Sequence, residues 1–171
     1  MRIALLLAVV LLLNACGFHL RGHNGEGSEY AFRTVYLKVP AETQFTTELR
    51  VNLELHKLVL AGSSAQADLI VEVVSENADK KIIGLSGAGQ IREYQLSYRV
   101  SLRAYDIQQR DWLSADEIIL QRSLTFDAAQ ILAKEQQELM LFSDMRSDAV
   151  QQVMRRLSRA KPRTETGAVT Q

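Results

Sequence analysis

Cys16 is the residue with the clearest chemistry, because it is the only cysteine among 171 residues. A thiol can form a disulfide or be modified covalently. A disulfide within the chain is excluded, since no second cysteine exists to pair with Cys16. In an exported protein a free, exposed thiol is a liability. A modification that consumes the thiol is therefore the favoured chemistry.

The residues before Cys16 have the pattern of an export signal. Arg2 supplies a positive charge, and the eleven residues from Ile3 to Leu13 are all apolar. A helix that crosses a bilayer needs about 20 apolar residues. The run is therefore too short to span, and it fits the apolar region of a secretory signal peptide.

The last four residues of this segment, Leu13-Asn14-Ala15-Cys16, resemble a bacterial lipobox. The resemblance implies that a diacylglyceryl group is transferred to the thiol, that the chain is cleaved before Cys16, and that the new amino group is acylated. Residues 1–15 are thus predicted to be a lipoprotein signal peptide. The alternative is an ordinary signal peptide that ends near a cysteine by chance.

The predicted lipid on Cys16 determines where the protein is expected. Each buried methylene contributes about 0.8 kcal/mol, so two or more acyl chains hold a domain firmly on a membrane. Gly17 follows the cysteine, where an aspartate would retain a lipoprotein in the inner membrane. We therefore expect the cell outer membrane, periplasmic face, with no cofactor other than the covalent lipid.

Composition limits the remaining chain to one ordinary domain without a basic character. The formal net charge is zero, which disfavours binding to nucleic acid. Residues 16–30 are predicted to be a lipidated linker, residues 31–160 a single α+β domain, and residues 161–171 a disordered tail. His19 and His23 have a spacing that suits a metal only on a helix, and nearby glycines disfavour a helix, so no metal site is predicted.

Apolar periodicity predicts two helices and four strands. The strands are predicted at Phe32–Val39, from Ala67 through Val74 toward Ile83, at Ile91–Tyr105 and at Trp112–Phe126, and the helices at Glu42–Leu60 and from Asp127 to Arg159. The order β-α-β-β-β-α predicts an α+β fold with two helices packed on one face of a four-stranded, mostly antiparallel (mixed) sheet.

Three segments carry more detailed expectations. The glycine-rich segment 84–90 lacks the P-loop pattern and precedes a strand, so it is predicted to be a hairpin loop. The second helix is expected to bury one apolar stripe, formed by Leu132, Leu139, Phe142, Ala149, Val153 and Leu157. A basic cluster, formed by Arg155, Arg156, Arg159, Lys161 and Arg163, is interpreted as a solvated helix end that favours the helix dipole.

Sequence motifs and the order of elements together resemble one known family. The start Cys16-Gly17-Phe18-His19-Leu20-Arg21 directly follows the lipobox. Shorter similarities are Gly89-Gln90 with Glu93-Tyr94-Gln95, and Leu132-Ala133-Lys134-Glu135. With the predicted element order, these segments resemble LptE, the lipopolysaccharide-assembly lipoproteins of Gram-negative outer membranes.

The resemblance implies a binding protein without catalytic activity. Members of the family plug and support LptD, an outer-membrane β-barrel, and bind lipopolysaccharide on its way to the outer leaflet. The resemblance implies that Lys134 contacts lipopolysaccharide. It also implies a second basic residue near the loop before Gln90, where this chain has Gly87, and Arg92 is our candidate to replace it.

Two other functions compete with this interpretation. An accessory lipoprotein of another envelope machine, such as one that inserts outer-membrane proteins, has the same signal peptide and a similar size. Co-purification with an LptD-type barrel distinguishes the two. A lipid-anchored hydrolase would need a nucleophile with a base, paired carboxylates or a metal set. No motif in the sequence places such residues together.

Overall fold

The computed structural model describes residues 30–163. Cys16, the predicted signal peptide, most of the predicted linker and the end of the predicted tail lie outside the described residues. The elements are β1 (Thr34–Lys38), α1 (Gln44–Leu55), β2 (Val59–Leu60), β3 (Leu69–Leu85), β4 (Ile91–Tyr105), β5 (Asp111–Thr125) and α2 (Ile131–Arg159). Short 3-10 helices lie at Ser64–Gln66 and Ala128–Gln130. The predicted α+β class, the two helices and the mixed sheet are confirmed.

The sheet has five strands, so the prediction of four was wrong. Its order is β2-β1-β3-β4-β5, with β1 parallel to both neighbours and the other pairs antiparallel. The predicted helix to Leu60 ends at Leu55, and Lys57 turns the chain with a φ of 61°. Val59–Leu60 then pairs with β1. Two residues are too few to show strand alternation, and the spacing of Leu60 also fitted the helix.

The core lies between the two helices and one face of the sheet. α1 buries Phe45, Leu49 and Leu53, which are spaced along one face of the helix. β4 alternates between the core and the open face, since its even-numbered residues from Leu96 to Ala104 are buried. Fully burying one large apolar side chain contributes about 1.5–3 kcal/mol. This core fixes the positions of both helices on the sheet.

The start of α1 is joined to the sheet through a capping residue. Thr43 and Thr46 form a capping box at the helix N-terminus. The hydroxyl of Thr43 also donates to Glu76 on β3 over 2.6 Å, and the hydroxyl of Tyr98 on β4 donates to the same carboxylate over 2.6 Å. Burial, with Glu76 nearby, raises the pKa of Tyr98, which therefore stays a neutral donor.

A bulge in β3 changes which residues face the helices. Val73 pairs with Leu102 and the next pair is Ser75 with Ser101, so Val74 is an extra residue. An extra residue inverts the alternation of a strand beyond it. After the bulge, Glu76 and Lys80 therefore lie on the helix side of the sheet.

The two halves of α2 differ in the face that they present to the sheet. The predicted stripe is confirmed at Ala149, Val153 and Leu157, which are buried, and Phe142 is partly buried. It was wrong for Leu132 and Leu139, which are 72% and 64% exposed. The reason is that polar side chains of the first half, described below, point toward the sheet.

The end of the sheet opposite the β3–β4 turn carries a tight loop between β4 and β5. Asp106, only 3% exposed, accepts hydrogen bonds from the backbone N–H groups of Gln108 and Arg110, both over 3.0 Å. It also accepts from the Arg110 guanidinium over 2.7 Å and from the indole N–H of Trp112 over 3.2 Å. These bonds satisfy the buried carboxylate.

The chain enters and leaves the described domain at this loop end. Tyr30, at the end of the predicted linker, is buried and its ring packs edge-on against Phe32. The first residues of the predicted tail run beside β5, where the N–H of Arg163 donates to the carbonyl of Asp111 over 2.9 Å. Both chain ends are thus held against the sheet.

Candidate functional site

The turn between β3 and β4 is ordered by its own hydrogen bonds. The N–H of Ser86 donates to the carbonyl of Gln90 over 2.7 Å. The Ser86 hydroxyl accepts from the N–H groups of Ala88 and Gln90 over 3.3 Å and 3.1 Å. Gly89 has a φ of +77°, a backbone conformation that suits glycine. The predicted hairpin loop is confirmed, and it defines the turn end of the molecule.

Lys134 lies in the first turn of α2 and reaches back to β5. Its Nζ donates to the hydroxyl of Thr125 over 3.2 Å and to the side-chain oxygen of Gln137 over 3.1 Å. Both acceptors are uncharged, so the contacts orient the ammonium group without neutralising it. Such a cation can still bind an anion through charge-assisted hydrogen bonds.

Arg92 lies close to the same residues at an irregular position of β4. The β3–β4 ladder passes from the pair Gly84 and Glu93 to the pair Leu85 and Ile91, which leaves Arg92 out of the register. Its carbonyl accepts from the N–H of Phe126 over 2.8 Å, and its side chain is exposed.

The structure therefore brings the two residues predicted to bind lipopolysaccharide to the same end of the fold. Lys134 contacts Thr125, and Arg92 contacts the next residue, Phe126. Among residues 30–163, neither side chain forms an ion pair. This pair, together with the β3–β4 turn, is called the turn-end site below.

Lys80 is a third cation near this site, and sequence reasoning missed it. It forms an ion pair with Glu138 of α2, and its Nζ lies 4.3 Å from the centroid of the Tyr94 ring. The Tyr94 ring packs edge-on against Phe126 at 5.6 Å. The bulge at Val74 turns Lys80 toward α2. The only sequence signal was the adjacent apolar pair of Val73 and Val74, which breaks the alternation.

Exposed apolar side chains surround the turn-end site. On α2 they are Ile131, Leu132, Leu139 and Met140, and on β3 they are Ile82, Ile83 and Leu85. Groups of large exposed apolar side chains often mark an interaction site. Cations beside apolar side chains suit an amphiphile that carries both phosphate and acyl groups.

Other chemistries receive no support from the part of the chain that the structure describes. Between residues 30 and 163, no group of His, Cys, Asp or Glu side chains is arranged to hold a metal ion. The ring nitrogen Nδ1 of His56 lies 2.8 Å from the carbonyl of Asn52 at the end of α1, which is a structural position. No helix in this range is long and apolar enough to cross a membrane.

Comparison with protein families gives a match over most of the domain. The model of the LptE family, described as lipopolysaccharide-assembly, matches residues 32–157. The chain belongs to the LptE family. The resemblance expected from the start motif and from the order of elements is thereby confirmed, and the chain is assigned to a family of lipopolysaccharide-assembly lipoproteins.

Solved structures of lipoproteins share the fold. The structure of lipoprotein B from Nitrosomonas europaea is 37% identical, has a TM-score of 0.71, and the match covers 83% of this chain and 90% of that one. The rare lipoprotein B from Shewanella oneidensis is 18% identical, with a TM-score of 0.64 and coverage of 72% and 92%. The minor lipoprotein from Acinetobacter baumannii is 22% identical, with a TM-score of 0.64 and coverage of 79% and 98%.

These three structures differ in what they contribute. The Nitrosomonas protein is similar enough in sequence to support membership of the family, whereas the other two support the fold alone. No curated protein matches the chain. The family and the fold are therefore established, and the roles of individual residues are argued from the geometry.

Proposed function

We propose that this LptE-family chain is an outer-membrane lipoprotein that binds lipopolysaccharide and supports an LptD-type β-barrel during insertion of lipopolysaccharide into the outer leaflet. In this proposal the chain is cleaved before Cys16, and acyl chains on Cys16 anchor it to the periplasmic face. Residues 16–30 serve as the linker, and no cofactor takes part. Its role is binding and assembly rather than catalysis.

The turn-end site is the observation that carries this proposal. Lys134 and Arg92 have no carboxylate partner among the described residues, and exposed apolar side chains lie beside them. Lipopolysaccharide has phosphate groups next to acyl chains, so the site offers both kinds of contact that it needs. A hydrogen bond to a charged group contributes about 1.5–3 kcal/mol.

The open face of the sheet supports a position inside a barrel. Glu72 accepts from Lys38 over 3.0 Å and from Arg103 over 2.7 Å, and Asp79 accepts from Arg99 over 2.5 Å. The lumen of a large outer-membrane barrel is polar. The open face of the sheet carries paired charges, so it can lie against a polar lumen without contact with an apolar surface.

Purification of a tagged full chain in mild detergent tests the proposal. We expect an LptD-type barrel and lipopolysaccharide to be recovered with the chain. The double variant Lys134→Glu, Arg92→Glu should recover the barrel but less lipopolysaccharide. Recovery of an outer-membrane protein insertion machine in place of the barrel would contradict the proposal and support the alternative function.

A further inference from the structure

Trp112, the only tryptophan of the chain, lies at the loop end of the sheet, away from the turn-end site. Its ring packs edge-on against Phe32, with the ring centroids 6.0 Å apart. It forms a wall of two clefts. One, of about 430 Å³, is lined by three arginines of α2. The other, of about 490 Å³, is lined by Arg33 and Arg110 together with the carboxylates of Asp68 and Asp106. We call these residues the Trp112 surface.

The charges of the Trp112 surface are partly free. Arg155 and Arg159 are exposed, and within residues 30–163 their guanidinium groups form no hydrogen bond or ion pair. Arg156 pairs with Asp116 over 2.6 Å and Arg110 with Asp106 over 2.7 Å, so both of these arginines are neutralised. The dipole of α2 favours cations in its last turn. It does not account for Arg33, which precedes β1 on a separate element.

Apolar groups accompany these arginines. Ile107, in the loop between β4 and β5, is 54% exposed and lines the same cleft as Arg33. Tryptophan is enriched where a protein meets the headgroup region of a membrane. Clustered Lys and Arg side chains near a membrane bind anionic lipids. The unpaired Arg155 and Arg159, with Trp112 and Ile107 beside them, therefore complement an anionic bilayer surface.

The path of the chain places the Trp112 surface toward the proposed anchor. Tyr30, the first described residue, packs against Phe32 at 5.5 Å, and Phe32 in turn packs against Trp112. Tyr30 lies fourteen positions after Cys16, so the two residues are at most about 50 Å apart when the chain between them is fully extended. β4, with 15 residues, spans about 50 Å toward the turn-end site. The Trp112 surface is thus at the end of the domain that the chain enters after the proposed anchor, and the turn-end site is about one strand length further away.

We propose that the Trp112 surface docks on the headgroups of anionic phospholipids in the membrane that holds Cys16. The inference rests on the proposed anchor but not on lipopolysaccharide binding. Docking would fix this end of the domain at the level of the headgroups, so the tether at Cys16 would no longer let the domain rotate freely.

Fluorescence of the single tryptophan tests this inference in the full chain. The chain is reconstituted from detergent into vesicles that contain phosphatidylcholine with a nitroxide on its headgroup. Neutral vesicles contain phosphatidylcholine alone, and in anionic vesicles half of the unlabelled lipid is replaced by phosphatidylglycerol. We expect the fluorescence of Trp112 to be quenched in the anionic vesicles only. Molar salt should relieve the quenching, because salt screens exposed charges. Equal quenching in neutral vesicles would overturn the proposal.

A matched pair of variants assigns the effect to residues. Arg155→Gln with Arg159→Gln should lower the ratio of docked to undocked chain about 30-fold, at about 1 kcal/mol per cation near the surface. Arg92→Gln with Lys134→Gln removes the same charge at the turn-end site and should leave the quenching unchanged. Unchanged quenching in the Arg155, Arg159 variant would overturn the proposal. Absence of quenching in every vesicle would overturn it too, and is the result expected if a protein rather than a lipid surface binds the Trp112 surface.

Lipopolysaccharide binding by the same two variants separates the two proposals. The Arg155, Arg159 variant should bind lipopolysaccharide as the natural chain does. If it binds less, the cluster belongs to the lipopolysaccharide path and the docking proposal fails. If the Arg92, Lys134 variant binds lipopolysaccharide normally, the turn-end site fails while the docking result stands. The salt dependence of the natural chain needs no variant, so a folding defect in a variant cannot hide the outcome.

Discussion

Lys134 donates a hydrogen bond of 3.2 Å from its Nζ to the hydroxyl of Thr125, and so joins the first turn of α2 to the last residue of β5. Both acceptors of the Lys134 ammonium group are neutral, so its charge has no opposite charge paired with it, while the two hydrogen bonds restrict the rotation of the side chain. This arrangement favours binding of an anion, because the side chain loses less conformational entropy when the anion binds.

Charge reversal at Lys134 should weaken lipopolysaccharide binding. Lys134→Glu removes a charge-assisted contact of about 1.5–3 kcal/mol, so we expect affinity to fall about 10- to 100-fold. The melting temperature should change little, because the lost contacts are at the surface. Titration with purified lipopolysaccharide measures the effect. Lys57→Glu, an exposed position after α1, is the control, and an equal loss there would remove Lys134 from the site.

A lysine at Gly87 should strengthen lipopolysaccharide binding. A Cβ at this position meets no heavy atom within 4 Å, so a side chain fits without strain. Gly87→Lys adds a cation to the turn between Ser86 and Gln90, near Arg92. We expect about a 10-fold gain in affinity, at the lower end of a charged contact. Gly87→Gln is the uncharged control, and a similar gain there would exclude an effect of charge.

The exposed leucines of α2 should contribute to binding of lipopolysaccharide. Leu132→Gln with Leu139→Gln removes apolar surface that is already in water in the isolated domain, so stability should stay within about 0.5 kcal/mol per site. We expect a smaller yield of lipopolysaccharide in co-purification and an unchanged yield of the barrel. Leu55→Gln, equally exposed on α1 at 73%, is the matched control. Full recovery of lipopolysaccharide by the double variant would place the contact with its acyl chains elsewhere.

Asp106 should make folding sensitive to acid. Burial raises the pKa of Asp106, but the hydrogen bonds from the Arg110 N–H, the Trp112 indole and the Arg110 guanidinium together outweigh burial and hold the pKa below its usual value. The folded state therefore favours the carboxylate. The stability that it contributes is present at neutral pH and is lost in acid, as the pH falls through the lowered folded-state pKa.

The variant Asp106→Asn measures this contribution. It should lower the free energy of unfolding by about 1–3 kcal/mol at neutral pH, because buried donors lose their charged acceptor. The difference from the natural chain should shrink in acid, where the natural carboxyl is protonated too. Urea unfolding across this pH range gives the comparison, with Asp144→Asn, at an exposed position, as control. A difference that stays constant with pH would contradict the role of the charge.

Cys16 should determine membrane attachment. The variant Cys16→Ala, exported behind a signal peptide whose cleavage needs no cysteine, should appear in the periplasmic fraction with an unchanged melting temperature. Acyl chains on Cys16 would contribute about 0.8 kcal/mol for each buried methylene, whereas molar salt should release a chain held only by the charges of the Trp112 surface. Fractionation of cells that lack the barrel, with a wash in molar salt, measures this. A variant still bound to the washed membranes would contradict the lipid anchor.

Local patterns in the sequence predicted the central part of the fold well. β4 was predicted with its observed bounds, Ile91 to Tyr105, because it is long and half of its residues face the core. The buried face of the C-terminal half of α2 was predicted from helical periodicity, because its apolar residues recur along the face that packs on the core. The two-residue strand β2 was missed, since its pairing with β1 depends on contacts that are distant in sequence.

The turn-end site was only partly predictable. Lys134 and Arg92 were chosen from a family resemblance, and no local pattern distinguishes either from an ordinary surface cation. The exposure of Leu132 and Leu139 could not be foreseen either, because helical periodicity does not say which stripe meets a neighbour. The polar contact between Lys80 and Glu138 determines that orientation, and it depends on the bulge in β3.

The bulge at Val74 has a consequence for how the gene can vary. Deleting the codon of Val74 would remove only the extra residue, so Ser75 would still pair with Ser101 and Lys80 would still face α2. Deleting the codon of Asn77, with the bulge kept, would instead shift Lys80 by one position and send its side chain to the open face, away from Glu138. Among related genes, loss of one codon should therefore be tolerated at Val74 and rare between the bulge and Lys80.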